Sequence, residues 1–256
     1  MEIASSISIV IPAYNEAQRV GQTIQKICDY FGKKAQLFEI IVIDDGSRDN
    51  TANIVLDLSE KRKRIALLEN STNKGKGASI KKGIFHAAHD LILLTDADLS
   101  TPIEEFEKLI PWIQQGYDIV LGSRGLKESE IILRQPWHRR AMGRIFNLLV
   151  KALIVSDFSD TQCGFKLFRS EAATRIFSLS KIERFAFDVE VLFIAKKMGY
   201  KTKEVPVRWI NSPHSRVNAL RDPFGMFLDL LRIRFFDLTA PLDNRNWVKF
   251  FLGQKI

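Results

Sequence analysis

The sequence predicts an α/β protein whose mixed, mostly parallel sheet is flanked by helices. Between residues 7 and 122, short runs rich in β-branched residues alternate with longer stretches of helical period. Such alternation is typical of right-handed βαβ units that build a parallel sheet. With 256 residues, 46% of them hydrophobic, the chain is long enough to bury the core that this fold needs.

The first half is predicted to contain five strands with helices between them. The second helix is expected to begin near Asp49, whose side chain can accept a hydrogen bond from a free backbone N–H. Pro102, preceded by Ser100 or Thr101 as N-cap, predicts a helix over 102–114. The predicted strands are 7–11, 39–43, 65–68, 91–95 and 118–121, and the helical stretches before residue 100 are 16–31, 50–63 and 76–88.

The pattern changes after the fifth strand. A basic, polar loop leads into a long amphipathic segment over about 137–155, and a short strand is predicted over 164–168. Two more helical stretches precede a strand around 202–209, and a basic amphipathic stretch covers 220–236. No stretch has the roughly 20 consecutive apolar residues needed to cross a bilayer, so we expect no transmembrane helix.

Composition limits the classes of partner and the compartment. Lysine and arginine outnumber aspartate and glutamate by 38 to 30, and the resulting charge of +8 favours anionic partners. Basic residues are scattered and form no nucleic-acid-binding motif, so nucleic acid is not an expected partner. Cys28 and Cys163 form neither a zinc spacing nor a disulfide framework, which favours the reducing cytosol. The first strand begins too early to leave room for a secretory signal.

The residues that follow the strands are the first candidates for a site, because ligands bind open α/β sheets outside the carboxyl ends of the strands. Residues 12–16 (PAYNE) offer an aromatic face for a base and a carboxylate for base or ribose edges. A strand–turn–helix cap explains them equally well. Residues 44–47 (DDGS) offer an acid for ribose hydroxyls, with a plain Asp-Gly turn as an equal alternative.

The strongest local signal follows the apolar fourth strand, where Asp96 and Asp98 stand two residues apart. This spacing at a strand exit can bring both carboxylates to one cation. Oxygen-only ligands favour Mg²⁺ or Mn²⁺, shared with a diphosphate. Two aspartates at a sheet edge would repel each other without a cation, so a purely structural role is the weaker alternative.

Two further segments carry glycine and positive charge. Arg124, after the fifth strand, can reach phosphate oxygens with its forked donors, although a solvated surface arginine is equally plausible. Residues 73–77 (NKGKG) superficially resemble a glycine-rich phosphate loop. Ile80 stands where GxGxxG needs its last glycine, and no GK[ST] occurs, so we reject a dinucleotide-binding or P-loop interpretation.

Taken in this order and spacing, the four strand-end segments resemble glycosyltransferase family 2, whose GT-A nucleotide-binding half corresponds to about residues 5–124. The resemblance implies a nucleotide-sugar donor and a divalent cation, Mg²⁺ or Mn²⁺. It implies that Asp96 lies between ribose and metal and that Asp98 is a principal metal ligand. The donor-binding residues that it implies are Pro12, Ala13, Tyr14, Glu16, Asp44 and Asp96.

The second half of the chain narrows the resemblance. Residues 160–168 (DTQCGFKLF) and 184–190 (RFAFDVE) are similar to enzymes that load sugars onto polyprenyl phosphates, the dolichyl-phosphate glucosyl- and mannosyltransferases. The resemblance favours UDP-glucose as donor, with GDP-mannose, or a polysaccharide or soluble acceptor, as alternatives. Without the family, Asp160, Asp188 and Glu190 are equally typical of helix caps or buried ion pairs.

Two positions depart from the family pattern. The mannosyltransferase relatives bind metal through a glutamine where this chain has Ser100, which leaves the third protein ligand open. Near the donor phosphates the relatives carry Gly-Ser-Lys, where this chain has residues 214–216 (HSR). We therefore expect Ser215 at the donor and Arg216 in the cationic role, with a geometry that differs from lysine.

The expected reaction is an inverting, in-line attack on the anomeric carbon, with the cation, Arg124 and Arg216 stabilising the leaving nucleoside diphosphate. A polyprenyl phosphate is already largely ionised at neutral pH and needs no strong base. A hydroxyl acceptor would instead need Asp160 or Asp188 as its base. The residues expected to bind the acceptor are Arg134, Arg139, Arg140, Asp160 and Asp188.

A lipid acceptor must be met at a membrane. We expect the two amphipathic stretches, 137–155 and 220–236, to lie in the interface of a membrane's cytoplasmic face without crossing it. Alternatively, both pack on the core with a solvated basic face. The chain is then expected to comprise a nucleotide-sugar-binding half (1–124), an acceptor-binding half (125–215) and a membrane-associating segment (216–256). The oligomeric state is not predicted.

Overall fold

The computed structural model describes residues 6–34, 37–133, 136–211 and 221–236. The predicted alternation of strands and helices is confirmed in the first half. In chain order the elements are β1 Ile7–Ala13, α1 Val20–Lys34, β2 Phe38–Asp44, α2 Thr51–Lys61, β3 Ile65–Glu69, α3 Lys76–His86, β4 Leu91–Leu94, α4 Phe106–Gln114, β5 Ile119–Ser123, β6 Glu130–Leu133, α5 Trp137–Leu153, β7 Lys166–Arg169, α6 Ser170–Leu179, α7 Phe187–Lys197, β8 Thr202–Pro206, β9 Arg208–Ile210 and α8 Arg221–Phe236.

Seven strands form one sheet in the order β3-β2-β1-β4-β7-β5-β8. β7 runs antiparallel to both of its neighbours and every other adjacent pair is parallel, which confirms the mixed, mostly parallel sheet. Ala13 is in register with Asp44, and Val10 with Leu94. The carboxyl ends of β1, β2 and β4 therefore meet at one edge, where the sequence places the candidate donor residues.

Helices cover both faces of this sheet. α1, α2 and α4 pack on one face, and α3, α6 and α7 pack on the other. β1 and β4 are buried from both sides, which is why they stand out in the sequence as short, nearly unbroken hydrophobic runs. α5 and α8 contact each other and share a third apolar cluster with residues of α7.

Two predicted helix starts differ in detail. The N-cap of α2 is Asn50, one residue later than expected, but the Asp49 side chain still accepts the backbone N–H of Thr51 at 3.0 Å. The helix predicted from Pro102 opens instead with a 3₁₀ turn, and α4 begins only at Phe106. The apolar positions of this segment are nevertheless buried as its helical period indicates.

The strand predicted around 202–209 is divided into β8 and β9, and β9 pairs with β6 in a separate two-stranded parallel sheet that the sequence did not predict. Val207, between them, donates its N–H to the carbonyl of Ser123 at 3.2 Å. Ile210 donates to the carbonyl of Ser100 at 2.8 Å. The first bond attaches the segment between β8 and β9 to the end of β5, and the second attaches β9 to the loop that carries Asp96 and Asp98.

The described helices can be compared with the prediction that the chain has no transmembrane helix. Among the described residues, no helix combines the length and the apolar composition that crossing a membrane requires. The division of the chain at residues 124 and 215 stays a prediction.

Candidate active site

The loops after β1 and β2 are joined into one wall of the site. Asn15 has a left-handed backbone (φ 55°), and its N–H donates to the Ser47 hydroxyl at 2.8 Å. The N–H of Arg48 donates in return to the Asn15 side chain at 2.8 Å. Glu16 donates its N–H to the Thr51 hydroxyl at 2.8 Å. The predicted nucleoside-binding residues of the two loops are thus fixed relative to each other.

The Glu16 carboxylate is buried and forms an ion pair with Arg19. Arg19 Nη1 also lies 3.9 Å from Asp98 Oδ2. The hydrogen bonds that Arg19 donates to Glu16 raise the pKa of Arg19 above its ordinary value, with smaller contributions from the charges of Asp98 and Asp96. Arg19 therefore connects the loop after β1 with the paired aspartates.

Asp44 and Asp45 have different surroundings although they are adjacent. Asp44 is 3% exposed, and its Oδ2 accepts the N–H of Ser47 at 3.0 Å, while its Oδ1 is buried without a hydrogen-bond partner among the described residues. Such an oxygen is rare in folded proteins and indicates a missing donor. A ribose hydroxyl or a base N–H would supply it.

Both carboxylate oxygens of Asp45 accept hydrogen bonds from the protein itself. Its carboxylate accepts the N–H groups of Lys74 and Gly75 at 2.9 and 2.8 Å and the side-chain amide of Asn70 at 2.8 Å. Asp45 therefore fixes the loop between β3 and α3 and has no free oxygen for a ligand.

A tight turn after β4 carries Asp96 and Asp98. Leu99, with φ 45°, donates its N–H to the carbonyl of Asp96 at 3.1 Å, and Ser100 donates to Asp98 Oδ1 at 2.9 Å. The Thr23 hydroxyl of α1 donates to the carbonyl of Ala97 at 2.7 Å. The turn is therefore fixed from within and from α1.

Lysine and glycine complete the surroundings of Asp96. Lys76 Nζ lies 2.5 Å from Asp96 Oδ1. Burial alone would raise the pKa of Asp96, but the charge and hydrogen bond of Lys76 hold it below its ordinary value. A Cβ on Gly164 would overlap the Asp96 carboxylate, so any side chain there would displace that carboxylate.

Arg124 and Asp160 bind each other. The guanidinium donates to the carboxylate through Nε at 2.6 Å and Nη2 at 2.9 Å, and the Arg124 N–H adds a third bond at 3.0 Å. Burial alone would raise the pKa of Asp160, but Arg124 lowers it to about 2. The guanidinium also stacks on Trp209, 5.5 Å from the ring centre. Asp160 is therefore ionised at neutral pH and is a weak base.

The other acidic candidates are also bound within the protein. Lys166, 1% exposed, lies 2.6 Å from Asp188, and burial raises the pKa of Asp188 despite this lysine. Glu190 accepts the N–H groups of Lys181 and Ile182 at 2.8–3.0 Å. Asp188 therefore has the buried ion-pair role that the sequence left open, while Glu190 binds the loop between α6 and α7 and caps neither helix. A role of Asp188 in acceptor binding stays a prediction.

Some predicted residues are placed without specific contacts, and others cannot be placed. Pro12 and Ala13 end β1, and Tyr14 follows them half-buried. Arg140 lies in α5 and is half-exposed, and Arg139 lies in the same helix with its side chain outside the described residues. Arg134, Ser215 and Arg216 also lie outside the described residues.

Sequence reasoning missed four residues at this edge: Lys76, Lys166, Arg19 and Trp209. Lys76 belongs to the NKGKG segment, which was tested only as a nucleotide loop. Its place at a predicted helix start, near a strand end, was the signal that could have found it. Lys166 stands among core-like phenylalanines, and nothing in the sequence distinguishes it.

Asp96 and Asp98 provide an oxygen-only donor set that fits a hard divalent cation. Among the described residues, no group of three or more histidine, cysteine, aspartate or glutamate side chains could hold a metal. Within the part of the chain that the structure describes, the two aspartates would be the contribution to the metal, and diphosphate and water oxygens would add further ligands. The residues present fit a cation that is shared with a substrate.

A mostly parallel sheet with paired aspartates at one edge, beside the joined loops after β1 and β2, is the arrangement of a nucleotide-sugar-dependent glycosyltransferase of the GT-A type. The family described as "Glycosyl transferase family 2" matches residues 8–177, and the chain belongs to this family. The resemblance inferred from the strand-end motifs is thereby confirmed.

The relatives and solved structures agree with this assignment. The chain is 36% identical to the dolichyl-phosphate β-glucosyltransferase of Dictyostelium discoideum over 90% of this chain and 74% of that protein. It is also 36% identical to the Homo sapiens protein of that name, over 91% and 76%.

Two solved structures match the fold. Mannosyl-3-phosphoglycerate synthase from Rubrobacter xylanophilus has a TM-score of 0.67 at 18% identity, covering 96% of this chain and 80% of that one. Glucosyl-3-phosphoglycerate synthase from Mycobacterium tuberculosis, solved with Mn²⁺, UDP and phosphoglyceric acid, has a TM-score of 0.67 at 18% identity, covering 94% and 81%. At this identity they show the GT-A fold alone.

Proposed function

We propose that this chain transfers glucose from UDP-glucose to a dolichyl-type polyprenyl phosphate at the cytoplasmic face of a membrane, with inversion at the anomeric carbon. The observation that carries the proposal is the unpartnered, buried Oδ1 of Asp44, at the same sheet edge as Asp96 and Asp98. Relatives at 36% identity that are named dolichyl-phosphate β-glucosyltransferase support the choice of sugar and acceptor.

The donor is bound by residues of three loops. Asp44 Oδ1 accepts a hydrogen bond from the nucleoside, and the half-buried Tyr14 offers its ring to the base. Glu16 acts through Arg19, which it orients toward Asp98. Asp96 and Asp98 would hold a divalent cation, whose positive charge would stabilise the leaving diphosphate. Gly164 and the N–H of Ser100 keep the two carboxylates in place for that role.

The carboxylates near the site favour a phosphate acceptor over a hydroxyl acceptor. Asp160 is held ionised by Arg124, and Asp188 is buried against Lys166. Neither is a free base that could take a proton from a hydroxyl group. A polyprenyl phosphate brings an oxygen that is already largely ionised at neutral pH, so it needs no such base.

The exposed side of α5 supports a peripheral contact with a membrane. Trp137, Ile145 and Leu148 are exposed, Trp137 to 79%, and they follow one another at helical spacing. Arg144 and Lys151 are exposed on the same helix. An apolar stripe beside basic side chains suits the interface of an anionic membrane. We propose that this α5 face brings the site to its lipid acceptor.

A transfer assay tests the donor and the acceptor together. Radiolabelled UDP-glucose or GDP-mannose is incubated with polyprenyl phosphate or with the matching free polyprenol, in detergent with Mn²⁺. We expect glucolipid from UDP-glucose and the phosphate only. Label transferred to the alcohol at a similar rate would exclude the phosphate acceptor, and transfer from GDP-mannose alone would exclude glucose.

A vesicle-binding assay tests the α5 face separately. Leu148→Glu, combined with Ile145→Glu, is expected to abolish co-sedimentation with anionic vesicles of phosphatidylcholine and phosphatidylserine because it places charge in the apolar stripe. The control is Leu56→Glu, a substitution of an exposed leucine on α2. Equal vesicle binding by both variants and the parent protein would refute this contact surface.

A further inference from the structure

Lys76 makes a close contact with one of the paired aspartates. It is the first residue of α3, and its Nζ lies 2.5 Å from Asp96 Oδ1. Asp98 and Asp188 also interact electrostatically with this ammonium group. The ammonium of Lys76 therefore already neutralises Asp96 in the ligand-free protein.

Two glycines place Lys76 there. Gly75, with φ 109°, precedes it, and a Cβ at this position would lie 2.5 Å from the carbonyl oxygen of Glu183. A Cβ on Gly77, which follows it, would lie 2.5 Å from the carbonyl oxygen of Ile182. The start of α3 can approach the segment before α7 this closely only because both neighbours of Lys76 lack a side chain.

Buried carboxylates hold both the start of α3 and the segment before α7 in place. Asp45 accepts the N–H of Gly75 at 2.8 Å, and Ala78 donates its N–H to the carbonyl of Glu183 at 3.0 Å. Glu190 in turn accepts the N–H of Ile182 at 2.8 Å. The NKGKG segment is therefore built to hold one lysine against Asp96, which explains a motif that fits no glycine-rich nucleotide loop.

We propose that Lys76 is an internal counter-ion that occupies Asp96 until the donor arrives, so that the divalent cation binds well only together with the nucleotide. The inference rests on the proposed function, which assigns Asp96 to the metal. A carboxylate already paired with an ammonium at contact distance attracts a second cation less strongly. The incoming diphosphate offers the lysine new oxygens and thereby frees Asp96 for the metal.

The consequence is positive coupling between nucleotide and metal. Because linkage is reciprocal, UDP should raise the affinity for Mn²⁺ and Mn²⁺ should raise the affinity for UDP by the same factor. Without Lys76, Asp96 is free from the start, and most of that coupling is lost. Lys76 is thus a positioning residue that sets the order in which the site is filled.

Titration of the protein with Mn²⁺ alone, and then with UDP present, tests the proposal by isothermal calorimetry. Lys76→Met is expected to bind Mn²⁺ alone about tenfold more tightly than the parent, and the enhancement by UDP should fall by a similar factor. The matched control is Lys74→Met, an exposed lysine of the same loop, which should behave like the parent. Damage to the fold would weaken metal binding, so a gain in affinity separates this role from a structural one.

Two further variants keep the test decisive. Lys76→Gln, which removes the charge but keeps a donor, is measured beside Lys76→Met in case the latter does not fold. Lys76→Arg keeps the charge and should retain weak binding of Mn²⁺ alone. The counter-ion role is overturned if the folded neutral variants bind Mn²⁺ as the parent does or more weakly, while UDP still assists Mn²⁺ binding by the parent. That result leaves the proposed function standing. No Mn²⁺ binding by the parent even with UDP overturns both.

Discussion

Asp44 and Asp45 allow a direct test of which side chains serve the ligand and which serve the fold. In Asp44→Asn, the amide oxygen can still accept the N–H of Ser47, while an NH₂ group replaces the unpartnered Oδ1. A hydrogen bond to a charged acceptor contributes about 1.5–3 kcal/mol. Its loss should weaken UDP binding about 10- to 150-fold, at about 1.4 kcal/mol per factor of ten.

The same substitution should not destabilise the ligand-free protein. The charge that it removes is buried, and burial of a charge without full hydrogen bonding costs free energy. Asp45→Asn is the contrast, because its NH₂ would face one of the donors that Asp45 now binds. We expect its free energy of unfolding to fall by about 1–3 kcal/mol.

Calorimetric titration with UDP and urea unfolding of both variants measure the two effects. The reasoning predicts a binding defect without a stability defect for Asp44→Asn and a stability defect for Asp45→Asn. Parent-like UDP affinity in Asp44→Asn would refute the assignment of its Oδ1 to the nucleoside. Equal destabilisation of the two variants would refute the contrast between them.

Two further predictions concern the neighbourhood of the paired aspartates. Gly164→Ala should lower glucose transfer and Mn²⁺–UDP binding at least about tenfold, because its Cβ would displace the Asp96 carboxylate. The control is Gly143→Ala, in an open position of α5, which should keep parent-like values in both assays. Acid unfolding should report the Arg124 ion pair. The pKa of Asp160 is lowered to about 2 from 3.8, so its ionised form stabilises the fold above about pH 4, and this stability, roughly 2 kcal/mol, is lost as the pH falls through 2. Arg124→Met should remove that part of the pH dependence; a parent-like decline between pH 4 and pH 2 would contradict the assignment.

The sheet and its ligand-binding edge could be predicted from the sequence because each depends on local signals. Parallel strands buried on both faces are short hydrophobic runs, and their ends are marked by polar residues such as Asp44, Asp96 and Asp98. β6 and β9 could not be predicted. They have four and three residues, β6 is largely exposed and β9 is half-buried, and the two strands pair across a long sequence separation.

The partners within the site also escaped prediction, because they depend on strand order. Arg124 and Asp160 are 36 positions apart, and they meet because β7 enters the sheet antiparallel between β4 and β5. The pairing of Lys76 with Asp96 depends on the close packing of α3 against the segment before α7. A pattern of residue types identifies the acids of a site more readily than the cations that neutralise them.

The central claim is that Asp96 and Asp98 form the metal centre of a glycosyltransferase that makes a lipid-linked sugar. Its most direct test compares the parent protein with Asp98→Ala in the transfer of radiolabelled glucose from UDP-glucose to dolichyl phosphate, with Mn²⁺ and with a chelator. The account predicts glucolipid from the parent with Mn²⁺, at least about a hundredfold less from Asp98→Ala, and none with chelator. Equal glucolipid from both proteins, undiminished by the chelator, would contradict it.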